Sequence, residues 1–274
     1  MNNKAPKIAF IGAGNMSSAV IGGMLKGHFN AEQIIACAPS DKHLKPLSEQ
    51  FGVHTDHNNA RACAAAEVVV LGVKPQMLEQ VANEISAHLA HKPLIISLAA
   101  GIPSASLSQW LGEDLAIVRA MPNTPSLVGV GAAGLYANDN CSAEQRELAE
   151  SIQASVGLVK WLEEEALIDS IIAVSGSGPA YFFLAMEAMI NEGVQQGLDR
   201  DSATELTIQT VLGAATLAQH SDVDVLELRR RVTSPGGTTA QAIAHFEEHG
   251  LRELFSGAMQ ACSNRAREMA KELG

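Results

Sequence analysis

Short runs of β-branched and other apolar residues alternate with amphipathic stretches through the first part of the chain. Lys7–Ile11, Gln33–Cys37, Glu67–Val73, Leu94–Leu98 and Ala116–Met121 each read as a buried strand. Between them the spacing predicts helices over Ser17–Lys26, over Asp41–Phe51 and from Lys74-Pro75 to about Leu89, with a short extended piece at Gly52-Val53-His54. Alternation of this kind builds a parallel, doubly wound sheet whose strands are buried on both faces. The pattern changes at Glu163-Glu164-Glu165, beyond which no strand pattern survives. Helices are predicted there over 166–174, 178–196, 201–220, 222–232, 239–248 and 251–273. The expected organisation is therefore an α/β domain over 1–163 and an all-helical domain over 164–274.

The first strand runs straight into Gly12-Ala13-Gly14-Asn15-Met16-Ser17, and a helix follows. Strand, Gly-x-Gly turn and helix are the context of a dinucleotide fingerprint, so the α/β domain is expected to be of Rossmann type. The first Gly makes the turn, the second admits a pyrophosphate, and the helix N-terminus stabilises its charge. Ser17 stands where Gly or Ala is usual and is small enough for tight helix packing. The second strand ends in Cys37-Ala38, without the acid that commonly binds a ribose 2′-OH, and Asp41 comes late. Ser40 and Lys42 are placed to hold a 2′-phosphate, which favours NADPH; NADH stays the alternative, with Ser40 or Asp41 then an ordinary helix cap. Gly72-Val73-Lys74-Pro75, Ala99-Ala100-Gly101 and Met121–Pro125 fall at further strand ends, where ligands bind such sheets.

A second cluster lies at Val232–Thr239, where Ser234, Gly236, Gly237, Thr238 and Thr239 precede a helix. Adjacent glycines let backbone N–H groups turn toward an anion, and the hydroxyls can donate or accept. The same residues also serve as turn and cap.

Composition narrows the classes. The 274 residues suit two domains, and 47% hydrophobic residues can fill both cores. A net charge of −11 argues against nucleic acid or an anionic membrane as partner. Four separated cysteines (Cys37, Cys63, Cys141, Cys262), with no Cys-x-x-Cys pair, fit a reducing cytoplasm without disulfides or zinc. Gly12 and Gly14 interrupt the first apolar run, so neither a membrane span nor a signal peptide is expected. His245 and His249 are spaced i, i+4, but Phe246 stands where a zinc protease has Glu, and no metal site is expected.

Taken together, Phe10–Met16, Val73-Lys74-Pro75, Arg119–Pro125, Ser175–Tyr181 and Thr233–Thr239 resemble the pyrroline-5-carboxylate reductases over essentially the whole length. The resemblance implies a Rossmann domain, a helical C-terminal dimerisation domain, and NADPH or NADH reducing a cyclic imine to L-proline in proline biosynthesis. It implies that Ile11, Gly12, Ala13, Gly14, Asn15 and Met16 touch the cofactor, as do Gly72, Val73, Lys74 and Pro75. Asn58, in the pair His57-Asn58, and Ala100, at the nicotinamide end, match further cofactor positions. Thr238 and Thr239 match substrate positions. Arg231 lies where the family has a substrate-contacting residue, often of another type. Around Ala38–Lys42 the agreement is loose, which leaves cofactor preference open.

Hydride transfer to an imine carbon needs closeness and alignment more than a strong acid. Thr239 is the candidate catalytic residue, its hydroxyl orienting the imine nitrogen. Backbone N–H groups at Gly236, Gly237 and Thr238, with the Ser234 hydroxyl, are expected to hold the carboxylate, and Met121–Pro125, Asn123 included, to seal the nicotinamide. A β-hydroxyacid dehydrogenase would use a lysine on the first long C-terminal helix, and no lysine lies between Lys160 and Lys271. A cofactor-sensing protein without turnover would leave the Ser234–Thr239 loop without purpose. Pro179–Ile190 carries Glu187 as its only charge and needs cover on nearly every side. A second copy is expected to supply it, and the resemblance implies a homodimer that assembles further into a ring of dimers, a decamer.

Overall fold

A computed structural model describes residues 6–274. The chain is an α/β protein built on an eight-stranded sheet, in the order β3-β2-β1-β4-β5-β6-β7-β8. The strands are β1 (Ile8–Ile11), β2 (Ile34–Cys37), β3 (His54–Asp56), β4 (Val68–Leu71), β5 (Leu94–Ser97), β6 (Ile117–Met121), β7 (Gly131–Ala137) and β8 (Gly157–Trp161). All neighbours pair in parallel except β6 and β7. The first six strands follow the Rossmann order, and the chain reverses direction across the sheet between β1 and β4.

Side-chain alternation along each strand feeds two cores. From β1, Ile8 and Phe10 join Val20, Ile21 and Met24 of α1 (Asn15–Lys26), Leu44 and Leu47 of α2 (Asp41–Phe51), and Ile152 of α6 (Ala143–Ala154). Ala9 and Ile11 point to the opposite face, among Cys63 of α3 (Asn59–Ala64), Leu78 and Ile85 of α4 (Pro75–Ile85), and Leu107 of α5 (Ser104–Leu111). Burial on both faces explains why these strands read as continuous apolar runs.

The sheet holds more strands than the apolar pattern suggests. The β7 segment, Gly-Ala-Ala-Gly-Leu-Tyr-Ala, has almost no strand character of its own. It is held by contact: a Cβ on Gly134 would meet Ile171 Cγ1 at 2.6 Å, so only glycine lets the neighbouring helix pack down. On β8 half-buried residues alternate with exposed ones, as suits an edge strand. The helix α7 (Leu167–Ile171) also ends sooner than expected, giving way to one wide π-turn at Ile172–Gly176.

The chain forms two compact units, one up to Ser177 together with Cys262–Gly274, the other Gly178–Ala261. The acidic run at 163–165 thus marks the end of the sheet, whereas the first unit continues through α7 and the π-turn. The last helix, α12 (Leu251–Leu273), crosses from one unit to the other. Its C-terminal half packs in the first unit, where Ala266 lies beside Ile168 and Ile172.

The second unit contains α8 (Gly178–Gln195), α9 (Arg200–Gln219), α10 (Val225–Arg231), α11 (Thr238–Glu248) and the start of α12. Its own chain covers little of it. Phe182, Phe183, Leu184 and Met189 on α8 are exposed, as are Leu206, Ile208, Leu212 and Leu217 on α9. The stretch Leu167–Gln195 is long and apolar enough to cross a membrane by length and composition.

Gly12 is a tight point of the first unit, pressed against the end of β4. Its φ is +94°, and a Cβ there would meet the Gly72 carbonyl carbon and the Val73 nitrogen at 2.7 Å. Gly12→Ala is therefore expected to cost about 3 kcal/mol through strain and overpacking. That corresponds to a melting temperature lower by roughly 6–12 °C. A thermal scan that leaves the transition within about 2 °C of the parent would show that β1 and β4 can part at little cost.

Candidate active site

The carboxyl ends of the parallel strands bring the expected dinucleotide residues into one row. At the end of β1 the chain turns sharply, and Gly12 and Ala13 both donate their N–H to the Cys37 carbonyl, at 3.0 and 2.9 Å. The Gly72 N–H closes the other side by donating to the Ile11 carbonyl at 2.8 Å. Ser17 is buried, and its hydroxyl donates to the Gly12 carbonyl at 2.6 Å. A Cβ on Gly72 would run into that hydroxyl. Ser17 thus does more than stay small: it ties the turn to the helix that follows.

Gly14 is the N-cap of α1, with no side-chain cap, and no acidic residue lies in the first turn. A Cβ on Gly14 would meet open space beyond its own turn and helix. An uncapped helix start beside a glycine with room in front of it fits the pyrophosphate of a nicotinamide dinucleotide. Lys74 and Pro75 begin α4 next door, with Pro75 at the first helical position.

Toward the β2 edge, Ser40 is the N-cap of α2, again without a side-chain cap bond, and Lys42 is exposed one residue inside it. Asn58 caps α3, its side-chain oxygen accepting from the Arg61 N–H at 2.9 Å. Asp56 is buried at the end of β3 and binds Arg61 through both carboxylate oxygens. Those bonds and the Asn58 N–H hold its carboxyl below the usual range, against the opposing effect of burial.

Toward the other edge, Ala100 is half-buried after β5. Asn123, after β6, is buried and fully engaged: Nδ2 donates to the Ser175 carbonyl at 3.0 Å and Oδ1 accepts from the Ala132 N–H at 2.9 Å. It ties the strand end to the π-turn and to β7.

The sequence reading passed over an ionic cluster in this unit. Arg119 on β6 is buried and donates to Glu165 Oε1 at 2.7 Å. The same carboxylate accepts from the Ser104 N–H and hydroxyl, both at 2.6 Å, and so caps α5. Burial pushes the Glu165 carboxyl up, but the Ser104 hydrogen bonds and Arg119 outweigh it and hold it below its ordinary value. Glu165 was legible only as part of an acidic run, because nothing local reveals a partner 61 positions away.

In the second unit, the expected substrate residues gather on one loop. Gly236 has φ +73°, and the Gly237 N–H donates to the Ser234 carbonyl at 3.0 Å, closing a tight turn. Gly237 is the N-cap of α11, without a side-chain cap. The hydroxyls of Ser234, Thr238 and Thr239 make no hydrogen bond among the described residues, whereas that of Thr233 is spent on the Arg229 carbonyl. Free hydroxyls beside an uncapped helix start can hold a small carboxylate. Arg231 is engaged elsewhere: its Nε lies 2.9 Å from Glu227, which Arg230 also binds. These two arginines pull the Glu227 carboxyl down to about 2.

The comparisons with known proteins agree along the whole chain. A family model described as pyrroline-5-carboxylate reductase dimerisation matches residues 165–269, and one described as NADP oxidoreductase coenzyme F420-dependent matches residues 7–101. The pyrroline-5-carboxylate reductase of Pseudomonas aeruginosa is 49% identical, over 98% of this chain and 98% of that one. A solved pyrroline-5-carboxylate reductase from Coxiella burnetii is 46% identical with a TM-score of 0.93, covering 97% of this chain and 99% of that one. The pyrroline carboxylate reductase of Plasmodium falciparum, solved with NADP bound, is 30% identical with a TM-score of 0.88 over 98% and 99%.

The Glu165 cluster makes an acid-side prediction. A carboxyl whose pKa is depressed on folding contributes stability above its unfolded value, near 4.3, and loses it as pH falls through the folded value. Glu165→Gln should lower stability at neutral pH by about 2 kcal/mol, since it leaves Arg119 buried without its anion. It should also flatten the loss of stability below about pH 4. Denaturant melts of both proteins at neutral and acid pH measure this, and equal differences at the two pH values would exclude a stabilising charged Glu165.

Proposed function

The chain belongs to the pyrroline-5-carboxylate reductase family, and on that premise we propose how its residues carry out the NAD(P)H-dependent reduction of 1-pyrroline-5-carboxylate to L-proline. The observation that carries this assignment is kinship over the whole length with enzymes of that name.

The cofactor's pyrophosphate rests against the turn Ile11–Met16 and the start of α1. Gly72–Pro75 flanks it, and Ser40, Lys42 and Asn58 meet its adenosine end. Ala100 and the loop after β6 flank the nicotinamide; the buried, engaged amide of Asn123 supports a role in fixing that loop. Bound NAD(P)H supplies the hydride. The protein's part is to align the imine carbon with the donor and exclude water. The Ser234 hydroxyl and the N–H groups of Gly236, Gly237 and Thr238 hold the substrate carboxylate, and Thr239 orients the ring nitrogen. The Glu227 pairing leaves Arg231 a secondary part at most in anion binding. Ser40 and Lys42 favour NADPH over NADH. Four free cysteines, two of them buried, support a reducing, cytoplasmic setting.

The defining assay is steady-state oxidation of NADPH and of NADH with the imine as acceptor. Thr239→Val should cut turnover by roughly 100-fold while leaving NADPH binding intact, as loss of an orienting hydrogen bond does. Turnover within a few-fold of the parent would show that another group orients the nitrogen.

Assembly follows from the second unit. Apolar side chains exposed along α8 and α9 cannot face water in the working protein, and the protein is an oligomer. A homodimer in which α8 and α9 of two copies cover one another explains why Leu167–Gln195 is so apolar without invoking a membrane. Dimers would assemble further into a decameric ring. Light scattering after gel filtration should give a multiple of the 28.8 kDa chain mass. A fully active species at that mass itself would exclude the dimer.

A further inference from the structure

We propose that His57 is a specificity-determining residue for the cofactor, an imidazole aimed by the backbone at the place of a 2′-phosphate, with Asp41 as the counter-ion that competes with it. The proposal rests on the dinucleotide-binding role assigned above and concerns how NADPH is told from NADH.

In this fold the end of β2 is where the adenosine ribose is recognised. His57 stands beside it, just after β3, whose residues pair with those of β2. Its Nδ1 lies 2.9 Å from the carbonyl oxygen of Ala38, the residue that follows β2. A carbonyl only accepts, so Nδ1 carries hydrogen and the ring plane is fixed. That fixes the direction of Nε2, which lies 3.1 Å from Asp41 Oδ1 at the start of α2. Both neighbours are acceptors, so the arrangement is fully satisfied when both ring nitrogens carry hydrogens. His57 then presents an N–H donor, directed by the Ala38 carbonyl, at the ribose end of the site.

The surrounding charges leave this task to few groups. Arg61, the planar cation best suited to a phosphate, is committed to Asp56 through a two-point contact. The Cys37 thiol on β2 is pushed up to about 12 by burial, with Asp56 adding to the effect and Arg61 opposing it, so it brings no charge. On α2, Lys42 is exposed and without an ion pair among the described residues, and Asp41 is the one carboxylate against the ring.

One pair therefore reads both cofactors. A 2′-phosphate takes Nε2–H from Asp41 by offering two negative charges in place of one. A 2′-hydroxyl cannot displace the carboxylate, but it can donate to it, as ribose hydroxyls do to the acid of NAD sites. Asp41 works against NADPH and for NADH; His57 works for NADPH.

The test uses the full-length protein and two ligands without a nicotinamide, 2′,5′-ADP and 5′-AMP, titrated calorimetrically at pH 7. His57→Gln should weaken 2′,5′-ADP by roughly fivefold and leave 5′-AMP within about twofold. Asp41→Asn should tighten 2′,5′-ADP by roughly threefold and weaken 5′-AMP if it moves it at all. In the double variant the effect of Asp41→Asn should shrink, since the two side chains act through each other. Equal effects of His57→Gln on both ligands, or an unchanged ratio in both variants, would overturn the proposal, while NADPH turnover by the parent left the reductase assignment standing. A parent that binds neither ligand would overturn the dinucleotide reading itself.

Discussion

The dinucleotide turn depends on how closely two backbones pass at the carboxyl ends of β1 and β4. Gly12 and Gly72 lie against each other with no space for a Cβ on either, and Ser17 reaches back from α1 to the Gly12 carbonyl. This contact sets where α1 begins, and so where its uncapped N–H groups point. It also fixes the gap at which the chain reverses direction across the sheet. In the proposed reading the pyrophosphate site is made by keeping side chains out of the turn.

Much of this was legible because the determinants are local. A buried strand, two glycines and a helix are adjacent in sequence, and their order alone implies the turn. The five parallel strands from β1 to β6, with β3 left aside, announce themselves because burial on both faces demands unbroken apolar runs. β7 was illegible for the converse reason: its glycines and alanines answer to Ser126 and Ile171, which press on them from elsewhere in the chain. The same holds for Glu165, which a sequence shows only as one of three acids. Its role comes from Ser104 and Arg119, brought to it by the sheet. The loop Ser234–Thr239 was legible as chemistry, since hydroxyls and glycines cluster there. The engagement of Arg231 with Glu227 appears only once α10 is seen as a helix that places them on one face.

The two units solve burial differently. In the first, the sheet has helices on both faces and its central strands are sealed by their own chain. In the second, five helical segments leave large aliphatic and aromatic residues in the open, and few side chains are buried at all. A unit of this size has too little chain to wrap a helix as apolar as α8. The stability of such a unit is tied to its partner's concentration.

Electrostatics completes the logic. The chain carries a net charge of −11, yet both molecules it handles are anions. The net charge gives them no long-range attraction. Short-range donors must do the work, and the structure supplies them in a form that the mean field does not cancel. Helix starts at Asn15, Asp41 and Thr238 lack side-chain caps, so their N–H groups stay available. Meanwhile Arg61, Arg119 and Arg231 are each spent on a carboxylate of the same chain. In the proposed reading the anions are held by backbone dipoles, which do not titrate in the neutral range. What tells one ligand charge from another is then left to side chains at the rim, where the proposed reading puts Ser40, Lys42 and His57.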